Sequence, residues 1–240
     1  MRKETIGAIA IHLYTGSGAI IAFVAMVAIA EKRFPAAFLL LLIAFFVDYT
    51  DGTMARRLNI EEFLPLIDGT TLDHVVDFLT NAVLPVFIMW QSDTLPAPRF
   101  FWMSVILLST LFRFSKTFNP WLARGFLSGI PSPWINLSFY AFFCGLSEAV
   151  VMFLIVVMIF LTFLPIGYIH VARFPRWRLA NGLALSCWWV IYLFVTQGWI
   201  QDKRIWLNIS LLFPAFYLGT SWWFAVRSGN YSRNTLPVRN

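Results

Sequence analysis

The chain has 240 residues, 59% of them hydrophobic and only 12% charged, with a mean hydropathy of +0.72. Soluble domains average about 25% charged residues, and a water-exposed fold this apolar would carry extensive greasy patches, so an ordinary soluble protein is excluded and the bilayer is the main solvent. The formal net charge of +6 is unevenly placed along the chain and reads as membrane topology rather than as a nucleic-acid surface.

Apolar runs lie at roughly 7–30, 34–50, 69–91, 100–114, 131–146, 149–168, 180–198 and 205–226. About 20 apolar residues span a bilayer, so these predict an all-α, polytopic bundle of eight transmembrane helices. The first run lacks a clear cleavage site and is followed by further spans, so it is read as a retained helix rather than a signal peptide. The fifth and sixth runs are divided at Gly145-Leu146-Ser147-Glu148, because together they are too long for one ordinary span and Glu148 is costly in mid-bilayer. The seventh and eighth runs have no evident role.

Eight spans place both termini on one side, with thirteen of the Lys and Arg residues against five on the other. That bias puts the termini in the cytoplasm. Arg173, Arg176 and Arg178 support the division of runs five and six, since merging them would send this cluster outside. Trp90, Trp121, Trp134, Tyr168, Trp177, Trp199 and Trp206 punctuate helix ends and read for the most part as an interfacial belt. Cys144 and Cys187 lie in apolar runs without metal-type spacing. Residues 1–226 are thus expected to form one membrane domain, followed by a polar cytoplasmic tail at 227–240.

Seven of the twelve acidic residues fall between Asp48 and Asp77, on an otherwise basic face. Asp48 and Asp51 are spaced i,i+3 at the cytoplasmic end of the second run, and Asp73 and Asp77 i,i+4 at the start of the third. Each pair occupies one helix face, and consecutive antiparallel helices can bring the four carboxylates together. Four like charges in a partly desolvated place must be protonated or compensated by cations. Oxygen-only ligands favour hard divalent ions, and four carboxylates could neutralise two, an arrangement suited to phosphoryl chemistry. Gly52, Ala55 and Gly69 leave room for close helix approach or a ligand, and Arg56 supplies a cation suited to phosphate.

Residues 48–77 read Asp48-Tyr-Thr-Asp51-Gly52-Thr-Met-Ala55-Arg56, a twelve-residue connector, then Gly69-Thr-Thr-Leu-Asp73-His-Val-Val-Asp77. This resembles the signature of the CDP-alcohol phosphotransferases, with all eight signature positions present. The connector is longer than in most of that family and is similar to one branch, the bacterial phosphatidylcholine synthases. His12 with Thr15 to Ala19, Leu64-Pro65, Asp77-Phe78 with Pro85, Lys116-Thr117, Gly129 to Ser132 and Trp134 also resemble that branch. The likeness spans roughly the first 170 residues.

The resemblance implies CDP-diacylglycerol as phosphatidyl donor, choline as acceptor, CMP as product, Mn²⁺ or Mg²⁺ (two ions), and a homodimer among membrane lipids of the bacterial inner membrane, its active site facing the cytoplasm. Carried over position by position, it implies that Asp48, Asp51 and Asp73 bind metal and that Asp77 is the base, itself able to touch metal. Gly52, Ala55, Arg56 and Gly69 are implied to shape the nucleotide pocket. A quaternary ammonium is usually held by aromatic faces, so Trp134 and Tyr140 are named for choline. The alternatives are a sister enzyme using serine, inositol phosphate or glycerol phosphate, whose phosphorylated acceptors would want a basic pocket that Arg113, Lys116 and Arg124 could supply but against which the twelve-residue connector argues, and an ion-coupled transporter, against which the single acidic cluster in the first third argues.

Overall fold

The computed structural model describes residues 3–58, 63, 66–115, 126–130, 133–164, 166–169 and 178–227. Ten α-helices are found among them: α1 (Lys3–Ala30), α2 (Phe34–Leu58), α3 (Gly69–Phe78), α4 (Leu84–Gln91), α5 (Arg99–Phe114), α6 (Trp134–Cys144), α7 (Glu148–Phe163), α8 (Arg178–Gln197), α9 (Lys203–Ser210) and α10 (Leu212–Arg227). Four helical stretches are long and apolar enough to cross a membrane: Thr5–Ala30, Phe34–Ala55, Gly69–Gln91 and Leu179–Gln197. With the shorter apolar helices α6 and α7, they make this a multi-pass helical membrane protein. Of the expected tail at 227–240 everything beyond Arg227, together with the Arg173–Arg176 cluster, Lys116, Trp121 and half of the 57–68 connector, lies outside the described residues.

The third apolar run is one continuous stretch with a widened π turn at Leu79–Val83 between α3 and α4, where the Leu84 N–H reaches back to the Leu79 carbonyl. Pro85 explains the position: it has no N–H to continue the ladder, and its ring crowds the carbonyl one turn earlier. Proline also divides the last run, expected as one helix. Pro214 cannot donate to the Ser210 carbonyl, and the chain breaks at Leu211 into α9 and α10. The expected division between runs five and six is present: α6 ends at Gly145, whose left-handed φ of 60° suits a residue without a Cβ. Glu148 stays at this boundary and accepts a hydrogen bond from the Ala97 amide at 2.6 Å.

Two short strands add a correction to the all-helical expectation. β1 (Phe126–Ser128) pairs antiparallel with β2 (Gly167–Ile169), so the sixth run ends as helix at Phe163 rather than reaching 168. The Ile169 amide donates to the Ser221 hydroxyl (3.1 Å) and its carbonyl accepts from the Tyr217 hydroxyl (2.9 Å), tying the ribbon to α10. These partners consume backbone groups that an open ribbon edge would leave unpaired.

α1 and α2 pack closely because Ala22, Ala25, Ala28 and Ala37 keep side chains out of the way. The same core joins α2, α6 and α8 through rings: Phe139 stacks on Tyr192 at 4.2 Å and meets Phe38 edge-on at 5.8 Å. Such pairs add about 0.5–1.5 kcal/mol beyond area burial. A second core lies between α4, α5, α6 and α7, around Val86, Ile106, Leu137 and Ile155.

α1 also packs on α3, the helix carrying Asp73 and Asp77. A Cβ on Gly18 would lie 2.5 Å from Val76 Cγ1, so only hydrogen fits there. Gly18→Leu is expected to destabilise the protein by about 1–3 kcal/mol through overpacking. The check is the thermal midpoint of purified protein, and adding Val76→Ala should recover part of the loss.

Candidate metal and phosphoryl-transfer centre

The acidic faces of α2 and α3 meet. One carboxylate oxygen each from Asp48, Asp73 and Asp77 lie within 4.8 Å of one another. Asp48 and Asp73 are also within hydrogen-bonding distance. Asp51, one turn beyond Asp48, is buried at 4% exposure and lies within electrostatic range of both Asp48 and Asp77. The expected four-carboxylate cluster is therefore assembled, with Asp51 outside the tightest trio.

Local structure explains the placement. Asp68 caps α3, accepting from the Thr70 and Thr71 amides at 2.9 and 3.2 Å and from the Thr71 hydroxyl at 2.6 Å. These bonds, that from the Thr71 hydroxyl foremost, hold its carboxyl below the usual carboxylate range. The cap starts α3 at Gly69, which puts Asp73 and Asp77 one and two turns inside the helix. On α2, the Tyr14 and Thr50 hydroxyls bond at 2.8 Å and pin α1 beside the acidic end.

Oxygen donors converging from two helices, without Cys or His among them, suit a hard divalent cation. Carboxylate oxygens this close together in a partly desolvated place call for an offsetting cation. The residues present fit a divalent metal.

Gly52 and Ala55 continue along α2, and Ala55 packs against Ala8 and Ile11 of α1. Gly69 abuts His12: a Cβ there would lie 3.1 Å from His12 Cε1. The Arg56 side chain lies outside the described residues. The two aromatics named for choline are not brought together. Trp134 is 1% exposed, in the core with Ala82 and Val86, and its indole donates to Thr110 Oγ1 at 2.7 Å. Tyr140, at 8%, faces the other core and bonds Ser210 and Trp188 at 2.8 and 3.1 Å. Both are structural in this conformation, with no ring face open to a quaternary ammonium.

Two residues beside the cluster were not singled out for it by sequence. Asn81, in the π turn, donates to Asp77 Oδ1 at 2.8 Å. Its i,i+4 spacing from Asp77 was the available signal. Arg113, in the last turn of α5, lies within electrostatic range of Asp77. Its guanidinium stands over Phe114 at 5.1 Å, and Phe114 meets His74 at 5.5 Å. A cleft of about 460 Å³ between α2 and α8 is lined by Tyr49, Leu179, Gly182, Leu183, Ser186 and Trp189.

The family model described as CDP-alcohol phosphatidyltransferase matches residues 9–209. The chain is similar to the phosphatidylcholine synthase of Agrobacterium fabrum, at 32% identity over 209 residues, 80% of this chain and 87% of that protein. It is also similar to the enzymes of the same name from Rhizobium meliloti (33% over 213 residues, 89% and 88%) and Pseudomonas aeruginosa (30% over 223 residues, 90% and 91%).

Purified protein is expected to bind Mn²⁺, read as loss of the free-ion electron paramagnetic resonance signal. Asp73→Asn should largely abolish this binding. Asn81→Ala, which removes only a neighbour of the ligand Asp77, should weaken it about 10- to 100-fold. A parental titration curve from Asp73→Asn would refute the metal centre.

Proposed function

The chain belongs to the CDP-alcohol phosphatidyltransferase family, and on that premise we propose that it is a membrane enzyme transferring the phosphatidyl group of CDP-diacylglycerol to choline, with release of CMP. The observation that carries the reading is the convergence of Asp48, Asp73 and Asp77 within 4.8 Å on two consecutive helices. The names of its relatives point to choline as the acceptor.

Asp48, Asp51 and Asp73, with a shared contribution from Asp77, would hold one or two Mn²⁺ or Mg²⁺ ions. Such ions supply charge stabilisation to phosphate oxygens as a phosphoryl group is transferred. Asp77 is the base, with Asn81 fixing one of its oxygens and leaving the other to accept a proton. The choline hydroxyl loses its proton to Asp77 as its oxygen forms a bond to the lipid-side phosphorus. The bond from that phosphorus to the CMP oxygen breaks, and CMP leaves with the electron pair. The proton then passes to solvent. Gly52, Ala55, Arg56 and Gly69 shape the nucleotide pocket.

The reading extends to topology. Eight spans, with α9 and α10 together as the last, put both termini and the acidic ends of α2 and α3 at the cytoplasmic face of the bacterial inner membrane. The chain acts as one catalytic domain over residues 1–226, in a homodimer. The donor's tails stay in lipid, where the α2–α8 cleft offers an apolar wall, while its nucleotide head reaches water.

Purified protein in mixed micelles should release CMP from CDP-diacylglycerol only when choline and a divalent ion are both present, and EDTA should stop it. Release supported by serine, glycerol phosphate or inositol phosphate but not by choline would overturn the acceptor assignment. Asp77→Asn should lower kcat by about 10²- to 10⁴-fold while CDP still binds. Near-parental turnover would remove Asp77 from the role of base.

A further inference from the structure

Arg113 has no assigned task in the chemistry above, yet its surroundings are unusual. It comes from α5, while the carboxylates come from α2 and α3. Its Nε–H is buried and has no hydrogen-bond partner. Among the described residues no carboxylate lies within 4 Å of the guanidinium, although Asp77 is close enough to interact with it electrostatically. A buried guanidinium donor left without an acceptor is costly, so the Nε–H calls for an acceptor that the described residues do not supply.

Three features restrict that acceptor. The guanidinium presents planar donors, which match phosphate or carboxylate oxygens in a two-point contact. Its positive charge repels a quaternary ammonium, so it does not hold choline. Its flat face is occupied by Phe114, whose ring in turn meets His74, the residue after Asp73. The stack sets Arg113 against α3, the helix that carries Asp73 and Asp77, and Asp77 lies within its electrostatic range. An anion that must also sit beside the cluster is the pyrophosphate of the nucleotide lipid.

The last helix reaches the same place. Tyr217 of α10 lies within electrostatic range of Arg113. Its hydroxyl donates to the Ile169 carbonyl at 2.9 Å, and the Ile169 amide donates to Ser221 of the same helix at 3.1 Å. Phe126 of the paired strand and Phe224 pack into that junction with Tyr217. Tyr217 is therefore fixed at both its ring and its hydroxyl, with the oxygen directed toward the ribbon and the residue within electrostatic range of the cation.

We infer that Arg113 grips a phosphate oxygen of the donor's pyrophosphate, and that Tyr217 is a positioning residue through which the last helix holds Arg113 in place. This rests on the donor proposed above. It assigns work to the C-terminal part of the chain, for which no role was evident in the sequence.

The test measures CDP binding by calorimetry in the presence of Mn²⁺, alongside separate KM values for CDP-diacylglycerol and choline. Arg113→Gln should weaken CDP binding and raise the donor KM by about 10- to 100-fold, the loss expected for a charge-assisted hydrogen bond, with the choline KM within about twofold of parental. Arg113→Lys should fall between, keeping the charge without the planar fork. Tyr217→Phe, which removes only the hydroxyl, should move the same two quantities in the same direction and leave the choline KM unmoved. CDP binding unchanged in Arg113→Gln overturns the inference. If that variant does not fold, unchanged CDP binding in Arg113→Lys overturns it equally. A rise in choline KM without a change in CDP binding does so as well. A parent that binds CDP but releases no CMP with choline defeats only the acceptor assignment, while a parent that binds no CDP defeats both.

Discussion

Four aspartates on facing ends of two antiparallel helices repel one another, and the rest of the fold is arranged to hold them together despite it. At an effective dielectric of about 20, two like charges about 4 Å apart cost about 4 kcal/mol, and oxygens of Asp48, Asp73 and Asp77 all lie within 4.8 Å of one another. That exceeds what any one ring pair in the nearby core returns. The cluster is tolerable only when protons or cations offset its charge and when α2 and α3 cannot splay apart. α1 supplies the second condition by touching both: Tyr14 binds Thr50 beside Asp51, while Gly18 and His12 press against Val76 and Gly69.

The glycines and alanines of the signature acquire two separate meanings in this setting. Gly69 lies against the His12 ring, and Ala55 lies against Ala8 and Ile11, so both are small at least in part because α1 needs the space. A residue that shapes a nucleotide pocket can also be the residue that lets a neighbouring helix close. Larger side chains at these positions would move the carboxylates apart before they touched a ligand, because interiors transmit a misfit rather than absorb it.

The acidic pairs were legible in the sequence because they depend on local geometry alone: i,i+3 and i,i+4 spacing on consecutive helices leaves few ways for the faces to miss each other. The division at Gly145 was legible for a similar reason, since a left-handed glycine and a costly carboxylate coincide there. The β1–β2 ribbon was not, because its strands are only three residues each and lie about forty residues apart, a pairing decided by long-range contact. Arg113 was read as a topology charge and as part of a basic pocket for a rival, phosphorylated acceptor, and nothing within its own helix indicates that Asp77 lies nearby. Trp134 and Tyr140 were suggested by their aromatic faces and their depth. They lie in different cores because their spacing along α6 turns them toward different neighbours.

A chain with all its site carboxylates in the first third has little apparent use for its last helices, yet the packing gives them one. The helices that carry the carboxylates are braced by elements later in the chain: α8 packs on α2 through Trp189, which meets Phe45 and Tyr49 edge-on at 5.0 and 5.8 Å, and α10 locks the ribbon through both backbone groups of Ile169. Tyr49 follows Asp48 directly, so the ring contact with α8 limits how α2 can rotate about its axis. A rotation of even a fraction of a turn would swing Asp48 and Asp51 together out of the cluster, since both lie on one face. The N-terminal part of the chain thus provides the charges, and the C-terminal part fixes the angle at which they are presented.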